Sequence, residues 1–573
     1  MSVRVRLVSF EAWNITRFMF VTGKRREIAG ASELITYLDR RWVRESLREV
    51  FGPGYGPGWR IEERPAELLE SGAGTAKVLV RGEDEARRLV TAVTGRALRQ
   101  APGLDVCGVV GGEFEWERPG GLHRALAECP EELTGVRTAL PGPDARFLRL
   151  PVVDSCRATG LPAAQVLGLP DGSVEARSAE SVAKWRAYGR QGEGEGLARL
   201  AELAGTRPPA LAEVVEHLND RAEWVGTVYA DGNGLGRVFG SFERCVEGES
   251  NRAYAEAFRA FSAGLQECTR EAFGCAVAEL EGLGAALKGG IVPVLPLVLG
   301  GDDMVALCAG EWALAFAEAY LRAFERLTAV RETVAGPLGR LEQAETGAAG
   351  PSVGAGLSAC AGVAVVKPHF PFVDAQRLAC ALLREAKQVK EKVPGPCSGL
   401  SFHVLYDSTQ AGLDRLRDQC TLAGTPAGAG AGEGTTRLVA QPYVVGDRGA
   451  GVAWARGRRW ADLLDRVAAL TARGADGERL LPSSQVHALR EALFAGPRVA
   501  DAHFAVLRGR YGGRGLERVS GDAESLFWRE EPSGRWVCGL LDAMDVVGFV
   551  PPARDEAAAV GGGADAALAE ERA

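Results

Sequence analysis

"VPVLPLVLGGDDMVALCAG", residues 292–310, decides how this chain is read. It runs apolar from Val292 to Leu299, turns at Gly300 and Gly301, presents Asp302 and Asp303, and returns apolar from Met304 to Cys308. Two apolar runs joined by a Gly-Gly turn predict a β-hairpin. Adjacent carboxylates at its tip repel by ~1 kcal/mol in water and by ~4 kcal/mol at an effective dielectric of 20. A hard divalent cation such as Mg²⁺ or Mn²⁺ relieves that repulsion. The glycines leave room for a phosphate or metal against the backbone.

About 70 residues upstream is "WVGTVYADGNGLGRVFG", residues 224–240. Trp224 to Ala230 alternates and is β-branched, which predicts a strand ending at Asp231. Gly232, Gly234 and Gly236 free the backbone for a tight loop rich in N–H groups, and a helix-period stretch begins at Asn251. Strand, acid, Gly-rich loop, helix, then strand, Gly-Gly-Asp-Asp, strand is the order of a palm-type nucleotidyl transferase or cyclase. In such a site Asp231 and Asp302 hold two metal ions and the loop amides cradle a triphosphate. The plainer alternative is a hairpin turn with solvated acids. The joint occurrence of both motifs, in this order, favours the site.

With 573 residues the chain is long enough for about three or four domains. Its 46% apolar and 25% charged residues are those of an ordinary globular protein. A net charge of −8 does not announce nucleic-acid binding, although the first 50 residues carry ten Lys/Arg against six Asp/Glu. The twelve cysteines form no Cys-x-x-Cys pair, and those in apolar runs, such as Cys308, Cys360 and Cys380, read as buried thiols. No signal peptide and no run of 18 apolar residues is present, so a cytoplasmic protein with no membrane partner is expected.

The predicted fold class is α+β. Residues 1–155 open with the strand "VRVRLVSF" and continue through two helices to "AKVLVRG", "EDEARRLVTAVTGRALRQ", "LDVCGVVGG" and "RFLRLPVV". This is a βαββαβ, ferredoxin-like order, with "GKRREIAGAS" read as a loop and Ser32 as the cap of the second helix. Residues 156–222 read as a helical connector, and residues 223–410 repeat the βαββαβ order around the two motifs. Within them Trp312 to Leu341 is expected as one long helix. Residues 411–550 read as a C-terminal helical domain, and 551–573, poor in large apolar residues, as a disordered tail.

The motifs "YADGNGLG" and "LGGDDM", followed by "LSACAGVAVVKPHFPFVDAQRLACALLREAK", resemble the second palm domain of the large subunit of type III CRISPR effector complexes. "ITRFMFVTGKRREIAGASELI" is similar to that subunit's first palm, and "LPSSQVHALREALFAG" to its C-terminal helical domain. The resemblance implies a cyclic-oligoadenylate synthase that joins ATP through 3′–5′ linkages with loss of pyrophosphate. It implies Mg²⁺ or Mn²⁺ at Asp231 and Asp302, with Asp303 assisting. Gly232, Asn233, Gly234, Leu235 and Gly236, with Gly300 and Gly301, would frame the phosphates. Lys387 would meet the triphosphate and Ser358 would face the nucleotide. Guide RNA and other effector subunits are the implied partners. In the first palm, Lys24, Arg25 and Arg26 leading into Gly30, Ala31 and Ser32 offer a seat for an acceptor nucleotide's phosphate, if Ser32 starts a helix there.

The sequence departs from the family in two ways. None of the six histidines is followed by Asp, as the family's HD nuclease requires, so no DNA cleavage is expected; the zinc-binding Cys cluster is also absent. The chain is short for the family, which leaves a stand-alone or homo-oligomeric cyclase and a non-enzymatic RNA-binding scaffold open. Diguanylate cyclases share the palm and its hairpin, but their Gly-Gly-acid-Glu-Phe motif is not matched by Met304 after Asp303.

Overall fold

The structure, a computed structural model, describes residues 2–551 apart from 73, 169–171, 190–194, 249, 288–289, 348–355, 407–411, 427–433, 450, 475–476, 512–515, 521–524 and 532. The expected disordered tail, apart from Pro551, lies outside the described residues.

The first sheet is built from β1 (Arg4–Trp13), β2 (Ala66–Gly72), β3 (Thr75–Val80) and β4 (Asp105–Glu115), in the order β2-β3-β1-β4 with antiparallel neighbours throughout. Alternation along β1 puts Val5 and Leu7 into one core and Val8, Phe10 and Ala12 into another, so both faces of this sheet are covered. A two-stranded ribbon, β5 (Ala163–Gly168) and β6 (Val174–Ser178), follows.

The larger sheet draws on β7 (Val225–Gly232), β8 (Val294–Gly300), β9 (Asp303–Ala309), β10 (Ala359–Val366) and β11 (Ser398–Val404). Next in the chain come β12 (Thr421–Ala423), β13 (Thr435–Arg437) and β14 (Tyr443–Val445), and last β15 (Trp528–Arg529) and β16 (Trp536–Val537). The six-stranded order is β14-β11-β10-β7-β9-β8. Its stretch β10-β7-β9-β8, again with antiparallel neighbours, repeats the order β4-β1-β3-β2 of the first sheet. The molecule is therefore a mixed α+β protein in which one strand order occurs twice. A further small sheet, β12-β13-β16-β15, stands among the C-terminal helices.

The helix Arg25–Tyr37 joins the two sheets. Ile28, Ala31, Leu34 and Ile35 are buried in one core together with Leu295, Leu297, Val305 and Leu307 of β8 and β9. It crosses the helix Ala179–Tyr188 at Gly30, where a Cβ would lie 1.9 Å from the Lys184 carbonyl oxygen. Glycine is there for helix–helix contact.

Several local expectations need correction. "GKRREIAGAS" is largely helix: the helix starts at Arg25, and Ser32 is a buried mid-helix residue rather than a cap. The apolar spacing of Ile28, Ala31 and Ile35 continues the helical period through the supposed loop. "RFLRLPVV" forms no strand; Pro151 interrupts it, and Leu148, Leu150 and Val152 are exposed. The long helix from Trp312 divides at Arg331, whose backbone is extended and whose guanidinium bonds Glu267 and Glu271, giving helices Gly310–Val330 and Glu332–Thr346. All twelve cysteines are free; Cys308 and Cys360 are buried as expected, and Cys380 is half-buried. No described helix is long and apolar enough to cross a membrane.

Candidate active site

The hairpin closes one residue later than the glycines suggest. Gly300 pairs with Asp303, so Gly301 and Asp302 form the two-residue turn, and Gly301 takes a left-handed φ of 60°. Asp302 is at the tip and Asp303 opens β9. The tip is tied from behind by the Thr269 hydroxyl, which donates to the Gly301 carbonyl at 2.6 Å.

Asp231 lies beside this tip because β7 is flanked by β9 and β10. Ala230 pairs with Met304, and Asp231 pairs with Cys360. Gly232 must be small: a Cβ there would lie 2.8 Å from the Asp302 Cβ. Asn233 closes the loop by donating its backbone N–H to the Ser358 carbonyl at 2.8 Å and its side-chain amide to the Ser358 hydroxyl at 3.0 Å. Gly234, with φ of 82°, precedes the short helix Leu235–Gly240. Leu235 is buried, and Gly236 is exposed on that helix. Lys387 ends the helix Phe372–Ala386 and puts its ammonium on the Asp231 carboxylate.

The electrostatics of the two hairpin acids differ from those of Asp231. Neither Asp302 nor Asp303 has a cationic partner among the described ion pairs. Burial pushes the Asp302 carboxyl up, opposed by its own N–H and that of Gly232. Burial, and then the neighbouring Asp302, push Asp303 up to about 7. Burial lowers the Lys387 ammonium from its ordinary range, helped by Lys390.

Two half-buried acids without a counter-cation suit a hard divalent ion. Among the described residues, no group of three or more His, Cys, Asp or Glu side chains is gathered as a metal cage. Asp231 is paired with Lys387. The donor chemistry fits Mg²⁺ or Mn²⁺ once Asp231 is released.

Asp303 also lines a cavity of about 250 Å³ between the helix Arg25–Tyr37, the helix Asn251–Gly282 and strands β7 to β9. Arg40, Arg199 and Arg270 line it, with Ser32, Asp39 and Tyr229. Arg40 and Arg270 are exposed and make no described ion pair; Arg199 is held by Glu33 and the Ser32 hydroxyl. Ser32 in turn donates to the Leu297 carbonyl, which a bulge between Pro296 and Val298 takes out of the ladder.

The structure thus brings Asp231, Asp302, Asp303, Gly232, Asn233, Ser358 and Lys387 together. The seat expected around Lys24, Arg25 and Arg26 is different. Lys24 pairs with Glu175 and Arg26 with Glu216, while Arg25 is buried and donates to Asn219 and the Pro368 carbonyl. Gly30 and Ser32, mid-helix, offer no free amides. Ser32 does line the cavity that Asp303 lines, with its hydroxyl bonded to the Leu297 carbonyl and to Arg199. Arg40, Arg199, Arg270 and Thr269 escaped the sequence reading because each is one polar residue on an ordinary amphipathic helix or helical turn.

No family model matches the chain, and no curated protein matches it. Among solved structures it is similar to those of Csm1. A crystal structure of Csm1 from T.onnurineus is 14% identical with a TM-score of 0.48, covering 96% of this chain and 70% of that one. A Csm1-Csm4 cassette in complex with cA4 is 11% identical with a TM-score of 0.46, covering 95% and 70%. A Csm1-Csm4 subcomplex of the type III-A CRISPR-Csm interference complex is 13% identical with a TM-score of 0.40; this chain covers 54% of it. At these identities the chemistry rests on the site itself.

Proposed function

We propose that this chain is a metal-dependent nucleotidyl transferase that joins ATP into cyclic oligoadenylates, as the large subunit of a type III CRISPR effector. The reading takes residues 1–155 and 223–410 as two palm domains, 156–222 as their connector and 411–550 as the C-terminal domain. The observation that carries it is the pair Asp302–Asp303 at the hairpin tip beside Asp231, with no counter-cation among the described ion pairs and with Asp303 lining a cavity that three arginines also line.

The reaction needs an attacking 3′-hydroxyl to lose its proton and a departing pyrophosphate to be neutralised. A divalent cation at Asp231, Asp302 and Asp303 supplies both effects when bound. Lys387 offers its ammonium to the triphosphate. Gly232 and Gly301 keep side chains away from the backbone around the acids, and Asn233 and Ser358 fix the loop that follows Asp231. Arg40 and Arg270 are free to take the phosphates of the acceptor nucleotide. ATP as substrate follows the sequence resemblance and agrees with the cA4, pppApA and AMPPNP named for the similar Csm1-Csm4 structures. Guide RNA and a Csm4-type subunit are the proposed partners.

The test is incubation of the purified chain with each NTP and Mg²⁺ or Mn²⁺, with products read by mass spectrometry. Cyclic adenylates absent from the Asp302→Asn/Asp303→Asn variant support the reading. A second reading, a scaffold with a silent site, draws on the Lys387–Asp231 pair, which occupies one of the three acids. It predicts no product from any NTP, alone or within an assembled complex.

A further inference from the structure

The ion pair between Lys387 and Asp231 has the geometry of an exchangeable contact. Both side chains are partly exposed, at 29% and 23%, so water and ions reach them. Pairs of this kind add little to folding. The lysine's backbone is fixed: its N–H donates to the Leu383 carbonyl at 3.0 Å as the helix Phe372–Ala386 ends. Only the flexible stem moves, and an ammonium on four methylenes re-aims easily. Asp231 has no other described ion pair, and Asp302 and Asp303 have none. One lysine therefore serves the one acid of the three that β7 supplies, and the hairpin acids have no ion-pair partner among the described residues.

We propose that Lys387 is a counter-ion that competes with a divalent cation for Asp231 and is handed to the triphosphate when the cation arrives, so that cation and nucleotide bind as coupled ligands. This rests on the proposed function. A carboxylate oxygen that accepts from an ammonium is occupied toward a metal. A cation arriving alone must displace Lys387 and leave its charge beside a second positive charge, Lys390. A cation arriving with a triphosphate gives Lys387 a new and more negative partner. The site thus disfavours metal without nucleotide, which a fixed structural ion pair would not do. The coupling is reciprocal, as any such linkage must be.

The decisive variant is Lys387→Met, which keeps the stem and removes the charge. Binding of Mn²⁺ alone, followed by electron paramagnetic resonance of the free ion, is expected to tighten several-fold relative to wild type. Mn²⁺-dependent binding of AMPPNP, followed by calorimetry, is expected to weaken. The two shifts have opposite sign, whereas a damaged fold weakens both. Lys387→Arg, which retains the charge, is expected to keep Mn²⁺ alone as weak as in wild type. Unchanged or weaker binding of Mn²⁺ alone by a folded Lys387→Met protein overturns the exchange. The Asp302→Asn/Asp303→Asn variant separates the two levels of argument. If wild-type Mn²⁺ binding does not depend on those acids, the site reading itself fails. If it does, and Lys387→Met fails to tighten it, only the exchange fails.

Discussion

Gly232 at the end of β7 and Asp302 at the hairpin tip approach so closely that a side chain on the first would collide with the second, Cβ to Cβ at 2.8 Å. Gly232→Ala must therefore push the tip aside, against the Thr269 hydroxyl that ties it at Gly301. A displacement of about 1 Å at a reacting centre costs on the order of 10²-fold in rate. Nucleotide turnover by Gly232→Ala is expected to fall at least about tenfold while the far-ultraviolet circular dichroism is unchanged. Wild-type turnover would show that the tip is not part of the reacting geometry.

Removing the paired charges is expected to separate activity from stability. Asp302→Asn/Asp303→Asn should abolish product formation at any metal concentration. Its metal-free melting temperature should not fall, because burial and mutual repulsion already penalise these charges in the folded chain. Differential scanning calorimetry and the product assay check the two halves separately.

Asp39 lines the same cavity and is buried, and burial pushes its carboxyl up to about 6. The sign follows from linkage. A carboxyl with a raised folded pKa holds its proton more tightly folded than unfolded. The stability it permits is complete below about pH 4, its ordinary range, and declines as pH rises toward about 6. Asp39→Asn removes that loss, which is on the order of 2–3 kcal/mol for a shift of about two pKa units. Melting temperatures from pH 4 to pH 8 should fall more steeply in wild type than in the variant.

The acceptor phosphate distinguishes two sets of cations. Lys24 and Arg26 are in surface ion pairs, so Lys24→Ala/Arg26→Ala is expected to make product within about twofold of the wild-type rate. Arg40→Ala/Arg270→Ala removes two exposed arginines from the cavity and is expected to raise the KM for ATP several-fold. Steady-state kinetics decide between them. A large loss in the first variant with none in the second would return the acceptor to the beginning of the helix Arg25–Tyr37.

Much of the architecture was legible because it is written in local periodicity. The β-branched run into Asp231 and the apolar arms around Gly300–Asp303 declare themselves within a few residues, whereas the strand Ala66–Gly72 of the first sheet carries no such signal and "RFLRLPVV" gives a false one. Turn register was less legible. Two adjacent glycines suggested where the chain reverses, but cross-strand pairing of Gly300 with Asp303 moved the turn to Gly301 and Asp302. "GKRREIAGAS" misled for a related reason: its glycine and serine read as a break, while helix packing on Lys184 and a bulged strand at Leu297 had use for them inside a helix.

The sequence by itself determined the strand that ends at Asp231 and the hairpin that carries Asp302 and Asp303, since residue type and spacing suffice to name a hairpin tip and a strand end; Lys387 came from the resemblance alone. Only the tertiary structure decided which charges meet. Lys387 is 156 residues from Asp231 in the chain, and Arg40, Arg199 and Arg270 come from separate helical segments, yet sheet order and helix packing bring the first pair into contact and the second set around one cavity. Coulombic interaction depends on distance and dielectric, and both are properties of the folded chain rather than of its order of residues.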